Sequence, residues 1–152
     1  MDGEARLEAL IARYTPEVSA VARQSLAMLR MRVPGAVELI YDNYNALAVA
    51  FSPTERRSDI VFSVTLYPRW VSLFFTDGAD LPDPDHLLRG NGKRIRHVVL
   101  TDAATLEDPG VGALIDAALA RAPTPFDATA SRQVIIKSVA ANQRPRRPGA
   151  SA

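Results

Sequence analysis

Between residues 36 and 100, β-forming segments follow one another so closely that most have room only to turn back on their predecessor. This constrains the fold more than any other feature. The segments "AVELIY" (36–41), "ALAVAF" (46–51), "DIVFSVTLY" (59–67), "WVSLFF" (70–75) and "IRHVVL" (95–100) are rich in the branched and aromatic side chains that suit a pleated surface. Their separators "DNYN", "SPTERRS" and "PR" are turn chemistry, and only "TDGADLPDPDHLLRGNGKR" is long. A parallel crossover needs about a dozen residues or more, so the short links predict an antiparallel meander.

Helices flank it. Thr15 can cap an orphan amide and Pro16 loses nothing at a first helical position, so a helix is expected to start there. Val18, Ala22, Leu26, Leu29 and Val33 recur at three- and four-residue spacings as one apolar stripe, which Pro34-Gly35 ends. The spacing predicts a helix over 16–33, with a shorter one over 4–13 before it. Asp108-Pro109 repeats the cap, and Val111, Leu114, Ile115, Ala118 and Leu119 carry a second stripe to Arg121. "QVIIKSV" (133–139) reads as a final strand. The expected fold is α+β: a two-layer sandwich in which a mostly antiparallel sheet of five to six strands carries helices on one face. Residues 1–140 are expected to form one domain and 141–152 a basic, flexible tail.

At 152 residues, 47% hydrophobic and 23% charged, the chain has the composition of a packed globular protein rather than a disordered one. It has no cysteine, which excludes disulfides, thiolate nucleophiles and cysteine-held zinc or iron–sulfur sites. The acidic start "MDGEARLEAL" lacks the pattern of an export signal. The longest apolar run, "IVFSVTLYPRWVSLFF", is interrupted by Pro68 and Arg69 and falls short of the roughly 18 uncharged residues of a membrane span. A cytoplasmic protein with no membrane partner is the expectation. Charge is uneven, because five of the 18 cations and none of the 17 acids lie beyond Ala128.

The stretch "HLLRGNGKRIRH" surrounds Gly90 and Gly92 with Arg89, Lys93, Arg94 and Arg96. A Walker loop needs glycine where Leu87 stands and a hydroxyl where Arg94 stands, and a dinucleotide loop needs a helix after it rather than a strand. What remains is either a turn whose amides and cations suit a small anion or an ordinary solvated turn. Upstream, Asp80, Asp83, Asp85 and His86 offer oxygen and imidazole donors of the kind ferrous iron accepts, although aspartates before prolines also simply cap turns. In "YDNYNAL", Tyr41 and Asn43 share one face of an extended strand, placed for a pocket wall or for a hairpin link. Arg69 and Trp70 in "YPRW" supply a cation and a large apolar ring with one donor, which serves a ligand or packs a hairpin end into the core. The segment "KSVAANQRPRRP" is basic but has no aromatic to stack a base, so nucleic-acid binding is not expected. Ser131, Thr101 and His97 fit no nucleophile–base signature, and no enzyme is expected.

Taken together, "YTPEV…LRMRVPGAVELIYDNYNALAVAF", "LYPRWVSLFF", "DPDHLLRGNGKRIRHVVL", "VGALIDAALARA" and "VIIKSVAANQRPRRP" resemble the YdhG-like domain family of unknown function over roughly residues 14–147. The resemblance implies a compact α+β domain. Through the branch of that family that contains frataxin-like bacterial iron chaperones, it also implies intracellular binding and delivery of ferrous iron, with Asp80, Asp83, Asp85 and His86 as candidate ligands. The alternative expectation is a binding module for a small anion or a partner protein, using the basic turn with Gly90, Gly92, Lys93, Arg94 and Arg96 together with Tyr41, Asn43, Arg69 and Trp70. A homodimer is compatible with either.

Overall fold

A computed structural model describes residues 2–149. Helices α1 (Gly3–Ile11) and α2 (Pro16–Arg32) begin where side chains satisfy their first amides: Asp2 accepts from the Ala5 amide at 2.8 Å and Thr15 from that of Val18 at 3.2 Å. Strands β1 (Val37–Asp42), β2 (Leu47–Ser52), β3 (Phe62–Leu66), β4 (Val71–Phe75) and β5 (Arg96–Leu100) form the antiparallel meander. Helix α3 (Pro109–Arg121) starts at Asp108, whose carboxylate caps the amides of Gly110 and Val111. The last strand, β6 (Gln133–Val139), returns beside β1 and runs parallel to it, giving the order β5-β4-β3-β2-β1-β6. The long connection through α3 supplies the chain that a parallel pairing requires.

The α+β expectation therefore holds, with one local change. Asp59 and Ile60, read from sequence as the start of the third strand, belong to the β2–β3 loop, where Arg57–Asp59 makes a 3-10 turn. No helix among the described residues is long and apolar enough to cross a membrane.

All three helices share the core on one face of the sheet. Alternate residues of the central strands point that way: Leu47, Val49 and Phe51, then Phe62, Val64 and Leu66, then Val71, Leu73 and Phe75, all fully buried. Phe51, Phe62 and Phe75 stand in a row with ring centres 5.4 and 6.3 Å apart. Leu26 and Leu29 of α2 and Leu114 and Ile115 of α3 complete this core. Burying one such side chain contributes about 1.5–3 kcal/mol.

Two carboxylates of β1 interrupt the apolar face, and each is paired. Glu38 takes the Arg30 guanidinium on both oxygens, at 2.8 and 2.9 Å, and Arg132 at 3.1 Å. Asp42 accepts from Arg146 at 2.9 Å and from Gln143 at 2.7 Å. Arg146 is only 4% exposed. Residues 141–149, expected to be a flexible tail, are thus folded onto the body, because a buried carboxylate needs a compensating charge and this segment supplies it. The rest of that tail, 150–152, lies outside the described residues.

Candidate functional site

The other half of the alternation builds the open face of the sheet, away from the helices. Its middle is filled by small side chains in cross-strand register: Ala48 opposite Thr65, Thr65 opposite Ser72, and Ala50 opposite Ser63. Larger rings flank them, with Tyr41 opposite Ala48 and Phe74 opposite Ser63. Small residues between large ones leave a groove of about 680 Å³, floored by Ala48, Ala50 and Ser63. That volume lies within the roughly 300–1,000 Å³ usual for small-molecule sites.

Charge enters this groove from two places distant in sequence. Arg57, on the β2–β3 loop, holds its guanidinium carbon 5.5 Å from the centre of the Tyr41 ring, a cation–π distance. Lys137 arrives from β6. Neither has an ion-pair partner among the described residues, and no carboxylate lines the groove. The loop that carries Arg57 is clipped by Asp59, which accepts from the Thr54 hydroxyl at 2.6 Å and from Arg56 at 3.0 and 3.1 Å. The Thr54 hydroxyl first, and then Arg56, hold the Asp59 carboxyl below the usual carboxylate range. Asp59 therefore takes Arg56 and leaves its neighbour Arg57 free.

Ile60, Phe74 and Ile95 give the groove an apolar wall, and Ile95 is more than half exposed. Tyr41, Ser63, Thr76 and Ser138 also line it. The Tyr41 Oη is buried with no hydrogen-bond partner, as is Ser72 Oγ from the same face of the sheet. An unsatisfied buried hydroxyl costs about 1–3 kcal/mol. Next to the wall, His97 packs on Phe74 with ring centres 5.0 Å apart. Burial, and then the charge of Arg89, pushes the His97 pKa below its ordinary value. Two free cations, several hydroxyls and an apolar wall can hold an organic anion by its head and its body together.

The residues singled out from sequence fall in three places. Tyr41 and Asn43 line the open-face groove. Arg69 and Trp70 line a second groove at one end of the sheet, where Trp70 is 45% exposed and stacked on Tyr67, not packed into the core. Gly90, Gly92, Lys93, Arg94 and Arg96 line neither. Their turn folds back on β5 through paired backbone bonds between Arg89 and His97, at 2.8 and 2.9 Å. Gly90 sits at φ +114, which other residues rarely adopt. Arg94 is occupied by Asp77, at 3.1 Å from Nε, and Arg96 donates to the Ile95 carbonyl at 2.9 Å. The turn thus spends much of its charge on its own structure.

The candidate iron ligands do not make one donor set. Asp80 pairs with Arg121 at 3.3 Å, and both oxygens of Asp83 accept backbone amides, from Leu87 at 2.8 Å and Leu88 at 2.9 Å. His86 follows at φ +54, its amide bonded to the Asp83 carbonyl, and Asp85 stands near Gly110. Among the described residues no three His, Asp or Glu side chains are grouped to hold an ion. The residues present do not fit a preformed iron cage, and ferrous iron rests on the resemblance alone.

Sequence reasoning missed Arg57, Lys137, Ser63 and Phe74. The signal for the floor is nevertheless in the strings "LAVAFS" and "FSVTL": large residues alternate with alanine, serine and threonine, so two adjacent strands are small on the same face. No family model, no curated protein and no solved structure matches the chain.

Proposed function

We propose that this domain binds a small organic anion, a carboxylate or phosphate head joined to an apolar body, in the groove on the open face of its sheet. The observation that carries this reading is a groove whose lining charge is wholly positive, from Arg57 and Lys137, above a floor of alanine and serine. A sheet face that merely met water would alternate to polar side chains there, as half-solvated antiparallel sheets do. The head group sits against Arg57 and Lys137, and the apolar body lies over Ala48 and Ala50 against Phe74 and Ile95. Hydrogen bonds to charged groups contribute about 1.5–3 kcal/mol each, and apolar contact about 25 cal/mol per Å².

The test is a thermal-shift and calorimetric panel of medium-chain carboxylates, aryl carboxylates and aryl phosphates, each beside its neutral alcohol or amide. At least one anion should raise the melting temperature and bind stoichiometrically, its neutral counterpart should not, and Arg57→Glu should abolish the response. Neutral analogues that bind as well as the anions, or a panel with no binder at all, would refute the reading.

A further inference from the structure

The second groove lies at the end of the sheet. It has a volume of about 530 Å³ and shares no lining residue with the open-face groove. One wall is the β3–β4 turn, where the Tyr67 and Trp70 rings lie nearly parallel, 14° apart in plane and 4.5 Å between centres. The other wall is the C-terminal segment, with Arg144, Pro145 and Arg147. That segment is held in place by the Arg144 amide bonding the Tyr44 carbonyl at 2.9 Å and by buried Arg146 on Asp42. Arg147 donates to the Arg13 carbonyl at 3.1 Å and the Ala12 carbonyl at 3.4 Å, whereas Arg69 and Arg144 have no carboxylate partner among the described residues, and no acid lines the groove. Beside it, Tyr44 is half exposed with the Arg144 guanidinium 5.6 Å from its ring centre.

We propose that this groove binds single-stranded nucleic acid, with a base stacked on Trp70 and the flanking phosphates on Arg69 and Arg144. Two requirements meet here: a flat, accessible aromatic ledge for a base and unpaired guanidinium groups beside it for the backbone. From sequence the basic segment lacked aromatics. The fold brings them from a turn some seventy residues earlier, so the ground for setting nucleic acid aside disappears. An acidic peptide would use the same arginines but leave the exposed ring unmatched.

Trp70 is the only tryptophan, so its fluorescence reads the site directly. Titration with a short oligothymidylate should quench it, with log affinity falling against log salt by roughly 0.7 for each phosphate held. Arg144→Ala and Arg69→Ala should each lower that slope by about the same amount. Trp70→Ala, followed by the anisotropy of a labelled oligonucleotide at a temperature well below the variant's own melting point, should lose roughly tenfold or more in affinity. Arg57→Glu, in the other groove, should alter none of this. Oligoglutamate that quenches and competes as well as the oligonucleotide would replace the proposal with an acidic-peptide surface. Absence of quenching at low salt, or a slope indifferent to both arginine substitutions, would overturn it.

Discussion

On β2, Leu47, Val49 and Phe51 turn toward the helices while Ala48, Ala50 and Ser52 turn away. β3 repeats the division with Phe62, Val64 and Leu66 against Ser63 and Thr65. The same strands thus make one face that is filled to completion and another that is hollowed. Filling needs no special explanation, because apolar area removed from water is what holds a domain of this size together. Hollowing does. An open face needs only solubility, and here it has small uncharged residues between two aromatic rings, overhung by cations that no described residue neutralises. The covered face shows what folding demands of this chain, and the difference between the faces shows what folding does not explain.

The sharpest way to break the comparison is to truncate one ring on each face. Phe62→Ala, which empties the buried aromatic row, should cost about 3–5 kcal/mol in chemical denaturation. Phe74→Ala, on the partly buried wall, should cost less, about 2 kcal/mol, in proportion to its smaller buried area. Equal costs would mean that the open face is a second core. Next in size, Arg146→Ala leaves Asp42 buried with Gln143 and the more distant Arg13, and should destabilise by about 3 kcal/mol. A loss near zero would show that the C-terminal segment does not stay docked in solution.

A smaller effect separates the faces by pH. The folded-state pKa of His97 is depressed, so the unfolded chain takes up that proton first. Its contribution to stability is complete above the ordinary value of about 6.5 and is lost as pH falls through the depressed folded value. The melting temperature should decline as pH falls below about 6.5, and His97→Gln should flatten that decline. Smallest on stability is Tyr41→Phe. Removing a buried hydroxyl that has no partner should raise stability slightly, by up to about 1 kcal/mol in chemical denaturation, and a loss of stability would show that the hydroxyl is satisfied in solution.

Much of this architecture was legible in the sequence because its signals are local. Thr15-Pro16 and Asp108-Pro109 start the helices where expected, and the short links "DNYN" and "PR" force antiparallel neighbours. The place of β6 was not legible, because which edge a strand joins after a long connection depends on packing rather than on its own residues. The candidate site fared differently. Tyr41 and Asn43 belong to the groove, but its cations come from residues 57 and 137, which no spacing rule links. The turn at Gly90–Arg96 drew notice because its charges are adjacent in sequence, yet Asp77 and backbone carbonyls occupy Arg94 and Arg96. Adjacent charge marks a site only when nothing else in the fold consumes it. The second groove was hidden for the opposite reason, its aromatics and arginines lying far apart along the chain.

The most direct measurement is a map of backbone amide chemical shifts during titration with an anion from the panel. The account predicts that the largest changes fall on Ala48, Ala50, Ser63 and Phe74, with α2 on the covered face silent. Changes gathered at the Gly90–Arg96 turn, or none anywhere at a saturating concentration, would contradict it.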